Sequence, residues 1–237
     1  MSETTLQFTA TDEKGLVSAL LNRPEDSRAV IVLAHGAGAN MHHSHMQFLA
    51  TALAKQGLAT LRFNFPYMEA GGKRTDGQAV CIETISNAVN LANDLTGDLP
   101  LFVGGHSFGG RMSSHAVSAG ETSQKQGSCD GFLRCRGLIF FSFPLHPGDK
   151  PAVKRADHLY SINLPMLFLN GTRDSLAERD LLEGVTRHIA GAELHWLETA
   201  DHSFKILKRN RRSTEDVYDE AARVAVSFVD RLIQAPC

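Results

Sequence analysis

The chain has 237 residues, of which 43% are hydrophobic and 21% are charged, and its formal net charge is −2. This composition is ordinary for a globular protein with a substantial core, and the balanced charge gives no reason to expect nucleic acid or an anionic membrane as a partner. No apolar run approaches the roughly 20 residues that span a bilayer, and residues 1–5 do not resemble a signal peptide. We therefore expect one cytoplasmic domain over residues 1–237. Its cysteines should be reduced thiols, although Cys129 and Cys135 would be able to pair in an exported protein.

The first part of the chain predicts a hairpin and then buried strands. Residues 4–9 and 16–21 flank a polar turn, as two antiparallel strands do. Residues 29–34 are a continuous apolar run, which is typical of a strand that is buried on both faces. A helix is predicted at about 44–56, and the next buried strand at 58–65.

Four further strands are predicted at 101–105, 137–142, 166–170 and 192–198, with helical patterns between them. Strands that alternate with helices after an antiparallel start predict a mostly parallel α/β sheet of about eight strands, covered by helices on both faces. The segment between the strands at 137–142 and 166–170 is too short for a large cap domain.

Several helix ends can also be predicted. The helix that follows Ser107 is expected to end near Gly120 and to lead into a polar loop, and another helix is expected at about 176–189. Before the last helix, Ser213 and Asp216 have the spacing of a capping box.

Residues 105–109 read Gly-His-Ser-Phe-Gly and match the pattern Gly-x-Ser-x-Gly. In such a nucleophile elbow, a serine lies on a tight turn between a strand and a helix, with its hydroxyl exposed at the end of the sheet. The serine is held in a strained backbone conformation, and glycines two positions away relieve the crowding. The alternative is that Ser107 is only a small residue in a tight turn. The strand pattern before it and the helix pattern after it favour the elbow.

A hydroxyl, a carboxylate and an imidazole follow three different predicted strands. These residues are Ser107, Asp174 and His202, in that order along the chain. The carboxyl ends of the strands meet at one edge of such a sheet, where ligands bind, and the order serine, acid, histidine is the one expected for a hydrolase of this architecture. We therefore expect the three side chains to meet.

Acyl transfer gives each of these residues a role. Ser107 would be the nucleophile, His202 the base that takes its proton, and Asp174 the group that orients the imidazole. The oxyanion of the intermediate needs fixed donors, for which the backbone N–H groups of Ala37 and Phe108 are the candidates.

Each assignment has an alternative. Asp174 has the residue type and position of a helix cap, and Asp149 and Glu198 are rival acids. Asp201 is expected to shape its own loop. His202 is preferred as the base for its position after the last strand, against a purely structural role.

Other patterns indicate no cofactor and no metal. His42, His43 and His45 lie at the start of a helix and would point in different directions, unlike the ligands of one metal, so we expect them to be solvated or to line a pocket. The glycine-rich segments near Ser107 and near His35 lack the full Gly-x-Gly-x-x-Gly spacing of a dinucleotide site. His35 is expected to shape the turn that carries Ala37.

Residues that follow strand ends are candidates to line a substrate pocket. They are Tyr67, Met68, Phe143 and Leu145. Arg111 and Arg173 also lie near strand ends and have two interpretations: they bind a substrate carboxylate, or they form structural ion pairs, which we favour.

Six short motifs together resemble the α/β-hydrolase superfamily. They read Ala-His-Gly-Ala-Gly-Ala at 34–39, Arg-Phe-Asn-Phe-Pro at 62–66, Gly-Gly-His-Ser-Phe-Gly-Gly-Arg-Met at 104–112, Pro-Leu-His-Pro at 144–147, Asn-Gly-Thr-Arg-Asp at 170–174 and Ala-Asp-His-Ser-Phe at 200–204. The resemblance is to a small branch without a cap domain, related to dienelactone hydrolases and shared with the hydrolase-like domain of a mammalian chromatin-acetyltransferase subunit and of a testis-expressed homologue. It implies the α/β-hydrolase fold.

The family's nucleophile, acid and base fall on Ser107, Asp174 and His202. Dienelactone hydrolases carry a cysteine nucleophile, so their particular activity is not implied for a chain with serine there. The resemblance implies an esterase-like or thioesterase-like serine hydrolase of small acyl substrates. The alternative is a catalytically silent binding or scaffold module. A peptidase is a third reading, for which the open site is less suited, and a homo-oligomer is compatible with the sequence.

Overall fold

The computed structural model describes residues 3–97, 99–125 and 131–234. Within them, the strands are β1 (Glu3–Thr11), β2 (Gly15–Asn22), β3 (Ala29–Ala34), β4 (Leu58–Phe63), β5 (Leu101–His106), β6 (Cys135–Phe141), β7 (Met166–Gly171) and β8 (Ala192–Leu197). They form one sheet in the order β1-β2-β4-β3-β5-β6-β7-β8. The pairs β1–β2 and β2–β4 are antiparallel, and every other neighbouring pair is parallel. The predicted mostly parallel sheet with an antiparallel start is confirmed.

The α-helices of the described residues are α1 (Ser44–Lys55), α2 (Pro66–Glu69), α3 (Gln78–Leu95), α4 (Phe108–Lys125), α5 (Arg179–Arg187) and α6 (Val217–Gln234). Short 3₁₀ helices occupy Gly131–Arg134, Lys154–Ser161 and Lys208–Asn210. The connection from β6 to β7 contains only the second of these 3₁₀ helices, so no large cap covers the edge of the sheet there.

The sheet is covered on both faces because its central strands are apolar at every position. In β3, Val30 and Val32 face α3, α4 and α5, whereas Ile31 and Leu33 face α1 and α6. All four side chains are completely buried. Burial of an aliphatic side chain of this size contributes about 1.5–3 kcal/mol. The side chains on both faces of β3 therefore hold helices against the sheet. This packing fixes the position of the end of β3.

Two predicted helix bounds differ from the structure. Helix α4 continues past Gly120 to Lys125, because residues 121–125 are compatible with a helix and one glycine costs only about 1 kcal/mol in a helix interior. Helix α5 begins at Arg179 rather than near 176, because Asp174 closes a turn first: Oδ1 of Asp174 accepts a hydrogen bond from Leu176 N at 2.9 Å.

The start of α6 also differs from the predicted capping box. Asp216 is itself the cap, since its Oδ1 accepts a hydrogen bond from Tyr218 N at 2.9 Å. The hydroxyl of Ser213 instead accepts one from Glu215 N at 3.1 Å and closes a local turn. The helix therefore begins three residues after the position that a box led by Ser213 would give it.

Cys81 and Cys135 are free and buried. The pairing of Cys129 with Cys135 lies outside the described residues, because Cys129 is not among them.

Among the residues that the structure describes, no helix combines the length and the apolar character needed to cross a membrane.

Candidate active site

Ser107 lies on the turn that joins β5 to α4 and has a φ of 52°. A residue other than glycine in this region costs about 1–3 kcal/mol, so the surroundings must hold it there. Ser107 N donates a hydrogen bond to Phe141 O at 3.0 Å. A Cβ atom on either Gly105 or Gly109 would overlap the carbonyl oxygen of Ala34. The flanking glycines are thus required by the close approach of the end of β3, and not by crowding around the serine itself.

The structure brings Ser107, His202 and Asp174 together. His202 Nε2 lies 2.7 Å from Ser107 Oγ, and His202 Nδ1 lies 2.9 Å from each carboxylate oxygen of Asp174. The Asp174 side chain is completely buried, whereas that of His202 is 19% exposed. These contacts form one hydrogen-bonded chain from a buried carboxylate to an accessible hydroxyl.

Asp174 is held from two further sides. Besides the bond from Leu176 N, Asn170 Nδ2 donates to Oδ2 at 3.2 Å. The turn-capping role that the sequence left open is therefore real, and the same carboxylate contacts His202 as well. Two fixed donors set the orientation of the carboxylate before it meets the imidazole.

The rival acids lie elsewhere. Asp149 is exposed, and a carboxylate oxygen of Glu198 accepts a hydrogen bond from Arg212 N at 2.8 Å. Asp201 Oδ1 accepts hydrogen bonds from Ser203 N at 2.8 Å and Lys205 N at 3.0 Å, so it shapes the turn that presents His202.

The two candidate oxyanion donors, the backbone N–H groups of Ala37 and Phe108, both belong to residues near Ser107. Ala37 lines the same cavity as Ser107, and Phe108 is the first residue of α4, where a backbone N–H has no partner within the helix. In the described part of the chain, neither N–H donates a hydrogen bond. Both are therefore available to an oxygen atom bound beside Ser107.

Two buried residues hold the turn that carries Ala37. Tyr67 Oη donates to Ala37 O at 2.9 Å, and burial raises the pKa of this phenol, which keeps it protonated as a donor. His35 Nε2 accepts from Phe65 N at 3.1 Å, which leaves the proton on Nδ1 to donate to Gly36 O at 2.8 Å. Burial lowers the pKa of His35 to about 4, so it is neutral at pH 7. This is the turn-shaping role that the sequence predicted for His35.

His106, the residue before the serine, joins three parts of the site. Its Nε2 lies 3.0 Å from the carbonyl oxygen of His202, to which it donates. Its ring packs 4.2 Å from the ring of His45 and lies so close to Gly36 that a Cβ there would approach Nδ1 to 2.8 Å. Burial lowers the pKa of His106 to about 4. The sequence analysis gave it no role, although its place inside the Gly-x-Ser motif was a usable signal.

The histidines near the start of α1 have different surroundings, and His43 and His45 both line the cavity beside Ser107. His43 Nδ1 accepts a hydrogen bond from His45 N at 3.2 Å and caps the helix, while His45 Nδ1 lies 3.0 Å from Tyr218 Oη. His42 is exposed. Across the described ranges, no group of His, Cys, Asp and Glu side chains has the arrangement of a metal site.

A cavity of about 290 Å³ opens beside Ser107. Its lining combines the turn after β3, the start of α1 and the His202 loop: Gly36, Ala37, Gly38, Ala39, His43, His45, Met46, His106, Ser107, Leu176, His202 and Ser203. The predicted pocket residues do not line it. Phe143 and Leu145 are completely buried in the core, Tyr67 is nearly so, and Met68 packs partly against the same core.

Arg111 and Arg173, which the sequence treated alike, have different surroundings. Arg173 Nη1 donates to Thr199 O at 3.2 Å, so its role is structural, through a carbonyl and not through an ion pair. The guanidinium of Arg111 has no such partner, and its Nε is buried without a hydrogen bond in the described part of the chain.

A mostly parallel eight-stranded sheet, with a serine on a strained turn after a central strand and an acid and a histidine after later strands, defines the α/β-hydrolase class. The family model described as an alpha/beta hydrolase domain matches residues 27–230, and the chain therefore belongs to that family. The superfamily that the sequence motifs resembled is confirmed.

Solved structures with the same fold include a dienelactone hydrolase from Anabaena variabilis, which is 15% identical with a TM-score of 0.71 over 98% of this chain and 99% of that one. A serine hydrolase without a lid from Xanthomonas campestris is 16% identical, with a TM-score of 0.71 over 100% of this chain and 98% of that one. An esterase from Pyrococcus furiosus is 18% identical, with a TM-score of 0.72 over 98% and 91% of the two chains. At these identities the likeness is one of fold.

Proposed function

We propose that the protein is a serine hydrolase that cleaves carboxylic esters or thioesters of small acyl groups through an acyl-enzyme intermediate. The observation that carries the proposal is the hydrogen-bonded chain from Ser107 through His202 to Asp174, beside an open cavity. A neutral serine hydroxyl is a poor nucleophile, and it becomes a good one when an adjacent imidazole takes its proton. The 2.7 Å contact between Ser107 and His202 suits that transfer.

In the acylation step, Ser107 Oγ bonds to the acyl carbon while its proton moves to His202 Nε2. The imidazolium that forms is stabilised by the buried carboxylate of Asp174 at 2.9 Å. The tetrahedral intermediate then collapses: the bond from the acyl carbon to the leaving oxygen or sulfur breaks, and the leaving group takes the proton from His202. An alcohol or a thiol departs, and an ester of Ser107 remains.

Deacylation repeats the sequence with water as the nucleophile. His202 Nε2 takes one proton from the water as its oxygen bonds to the acyl carbon, and it returns that proton to Ser107 Oγ as the acyl–serine bond breaks. In both steps the negative oxygen would accept hydrogen bonds from the N–H groups of Ala37 and Phe108. Donors of this kind are worth about 3–4 kcal/mol each in enzymes where one has been removed.

The dimensions of the cavity favour small acyl groups. Its volume of about 290 Å³ is at the lower end of the range of roughly 300–1,000 Å³ for small-molecule pockets. Met46 and Leu176 provide apolar surface for an acyl chain, whereas the alcohol or thiol part would extend towards solvent, because no cap formed by the described residues encloses the edge of the sheet.

A fluorophosphonate probe tests the proposal directly, because it reacts with an activated serine. We expect the wild-type protein to be labelled and Ser107→Ala not to be labelled. Ser203→Ala is a matched control, since Ser203 lines the same cavity and, within the described residues, its hydroxyl forms no hydrogen bond with an imidazole, so its variant should label normally. Equal labelling of wild type and Ser107→Ala would refute the proposal.

Turnover of p-nitrophenyl esters and acyl-CoA thioesters of increasing chain length would then identify the leaving-group class. Ser107→Ala should abolish turnover of whichever class is accepted. If no substrate is turned over and no probe reacts, the fold serves as a binding or scaffold module and the serine hydrolase proposal is wrong.

A further inference from the structure

Helix α4 presents a group of basic side chains that the hydrolytic mechanism does not use. Arg111, Ser114 and His115 have the spacing i, i+3 and i+4, so they share one face of the helix. The 3₁₀ helix Lys154–Ser161 packs against α4 and brings Arg155 and His158 to them.

Two contacts lock the imidazoles of this cluster in place. The rings of His115 and His158 stack with centroids 3.6 Å apart and planes 16° apart. Ser114 Oγ donates to Arg111 O at 2.8 Å and lies 2.7 Å from His158 Nε2. Because the single hydroxyl proton of Ser114 goes to Arg111 O, His158 Nε2 must carry a proton and donate. The cluster is therefore an ordered arrangement.

Within the part of the chain that the structure describes, no acidic side chain pairs with the positive charge of the cluster. Among the described residues, neither Arg111 nor Arg155 forms an ion pair or a side-chain hydrogen bond. Burial, and then the neighbouring charge of Arg155, lowers the pKa of Arg111. Two carboxylates on the same two helices do not neutralise this charge. Asp157 is exposed to solvent, and Glu121 accepts hydrogen bonds from Asn163.

Burial and the charge of Arg111 also lower the pKa values of the two imidazoles. Burial, followed by Arg111, lowers the pKa of His115 to about 4. Burial, then His115, then Arg111, lowers the pKa of His158 to about 3. At pH 7 the cluster therefore carries two guanidinium charges and two neutral rings. Nε of Arg111 and Nε2 of His115 are buried without a partner. Buried cations and hydrogen-bond donors are normally paired. Two unpaired groups beside uncompensated positive charge therefore favour the binding of an anion here.

The cluster begins one helical turn from the nucleophile, outside the residues that line the cavity. Arg111 N donates to Ser107 O at 3.0 Å, so Arg111 lies one helical turn beyond the serine. The segment that leads from β6 to the 3₁₀ helix contacts the wall of the cavity, since His146 N donates to Leu176 O at 2.9 Å. An acyl chain on Ser107 would have to extend beyond the lining residues to bring a charged far end to these basic side chains.

We propose that Arg111 and Arg155 form a subsite for an anionic group, a carboxylate or a phosphate, at the far end of the acyl substrate. The inference rests on the proposed serine hydrolase function and adds a substrate class to it: acyl groups that carry a second, anionic end. Guanidinium groups suit this task, because their planar donors match both carboxylate and phosphate oxygens.

A matched pair of esters tests the subsite. p-Nitrophenyl hydrogen adipate and p-nitrophenyl hexanoate have the same chain length and differ in the terminal carboxylate. The wild-type ratio of kcat/KM, adipate over hexanoate, should fall roughly 10- to 100-fold in Arg111→Gln, as expected for the loss of a charge-assisted hydrogen bond. Arg155→Gln should lower the same ratio, and Arg111→Lys should recover part of it.

Arg212→Gln is the matched control, because it removes the same charge from a side chain that is 95% exposed and pairs with Glu198. It should leave the ratio unchanged. An unchanged ratio in both Arg111→Gln and Arg155→Gln would overturn the subsite, as would an equal fall in Arg212→Gln. If Arg111→Gln does not fold, Arg155→Gln decides alone, because its side chain is partly exposed on the 3₁₀ helix.

A binding measurement separates this subsite from the hydrolase proposal. In Ser107→Ala, inorganic phosphate or adipate should shift the ring resonances of His115 and His158 in NMR spectra, and the added change Arg111→Gln should remove the shifts. Whichever anion binds more tightly indicates phosphate or carboxylate as the natural end group. Shifts that persist without Arg111 would overturn the subsite, whether or not the wild-type protein hydrolyses either ester.

Discussion

Replacing His106 by phenylalanine should loosen the loop that carries His202 while nearly preserving the packing of the ring. Phenylalanine retains a flat ring beside His45, but it has no N–H to donate to the carbonyl oxygen of His202, which His106 Nε2 now contacts at 3.0 Å. The carbonyl would then be left without that partner. We expect both stability and catalysis to suffer from this one lost bond.

The magnitude follows from the partial burial of this hydrogen bond. Leaving a fully buried acceptor unpaired costs about 1–3 kcal/mol, which is the upper bound for a partly buried one. If the loop must be ordered for His202 to reach Ser107, the same energy is lost from the transition state, and kcat should fall roughly 5- to 150-fold. KM should change less than kcat, because the lost N–H faces the loop backbone, while a phenylalanine ring keeps most of the surface that His106 contributes to the cavity.

Urea unfolding and ester hydrolysis measure the two effects. His106→Gln is the control, because a glutamine amide can place an N–H near the position of Nε2 and should recover much of both quantities. A His106→Phe protein with unchanged kcat would show that the bond does not position His202. If His106→Gln were as defective as His106→Phe, the ring itself, and not the hydrogen bond, would be the important feature.

Three further changes have expected outcomes. Asp174→Asn should lower kcat/KM by about 10⁴-fold in an ester assay, because an amide N–H facing Nδ1 would favour the tautomer of His202 that cannot accept the serine proton; a loss below tenfold would contradict this. Gly109→Ala should cost about 1–3 kcal/mol or more in urea unfolding, since its Cβ would overlap the backbone of β3, whereas Gly184→Ala, in open space on α5, should be neutral or stabilising. His35→Gln should reduce the loss of unfolding free energy at acid pH. The folded pKa of His35 is about 4 against an unfolded value of 6.5, so the stability that the neutral ring contributes is complete above pH 6.5. About 3 kcal/mol of it is lost as the pH falls to 4, and the variant should not show this loss. Equal losses of unfolding free energy in wild type and His35→Gln over that range would refute the last prediction.

The strands could be predicted because each central strand is apolar on both faces. A run such as 29–34 has few alternatives to a buried strand of this length, and all its residues are buried in the structure. The meeting of Ser107, Asp174 and His202 followed from topology, since the carboxyl ends of parallel strands share one edge. Positions along the chain were enough to predict which side chains would be neighbours there.

The direction of a side chain at that edge was not predictable in the same way. Phe143 and Leu145 follow a strand, as pocket residues do, yet both turn into the core. Position after a strand indicates the edge of the sheet but not the face, and large apolar side chains gain most when they leave water altogether. The cavity is instead lined largely by backbone-rich turns and by histidines, which carry no apolar periodicity to reveal them.

A comparison of His202 with the neutral histidines near Ser107 also supports His202 as the base. This support comes from electrostatics and is independent of the order of residues along the chain. A buried neutral imidazole can accept on one nitrogen and donate on the other, which is how His35 joins two backbone segments that a lysine could not join. Burial holds the pKa of His35 and of His106 at about 4, and each has backbone partners without a carboxylate at its ring. Among the described histidines that border the cavity, His202 alone contacts a buried carboxylate. A transient imidazolium would therefore be stabilised by direct contact with a carboxylate at His202, whereas Asp174 acts on His106 without contact, so His202 is the favourable acceptor of a proton from Ser107.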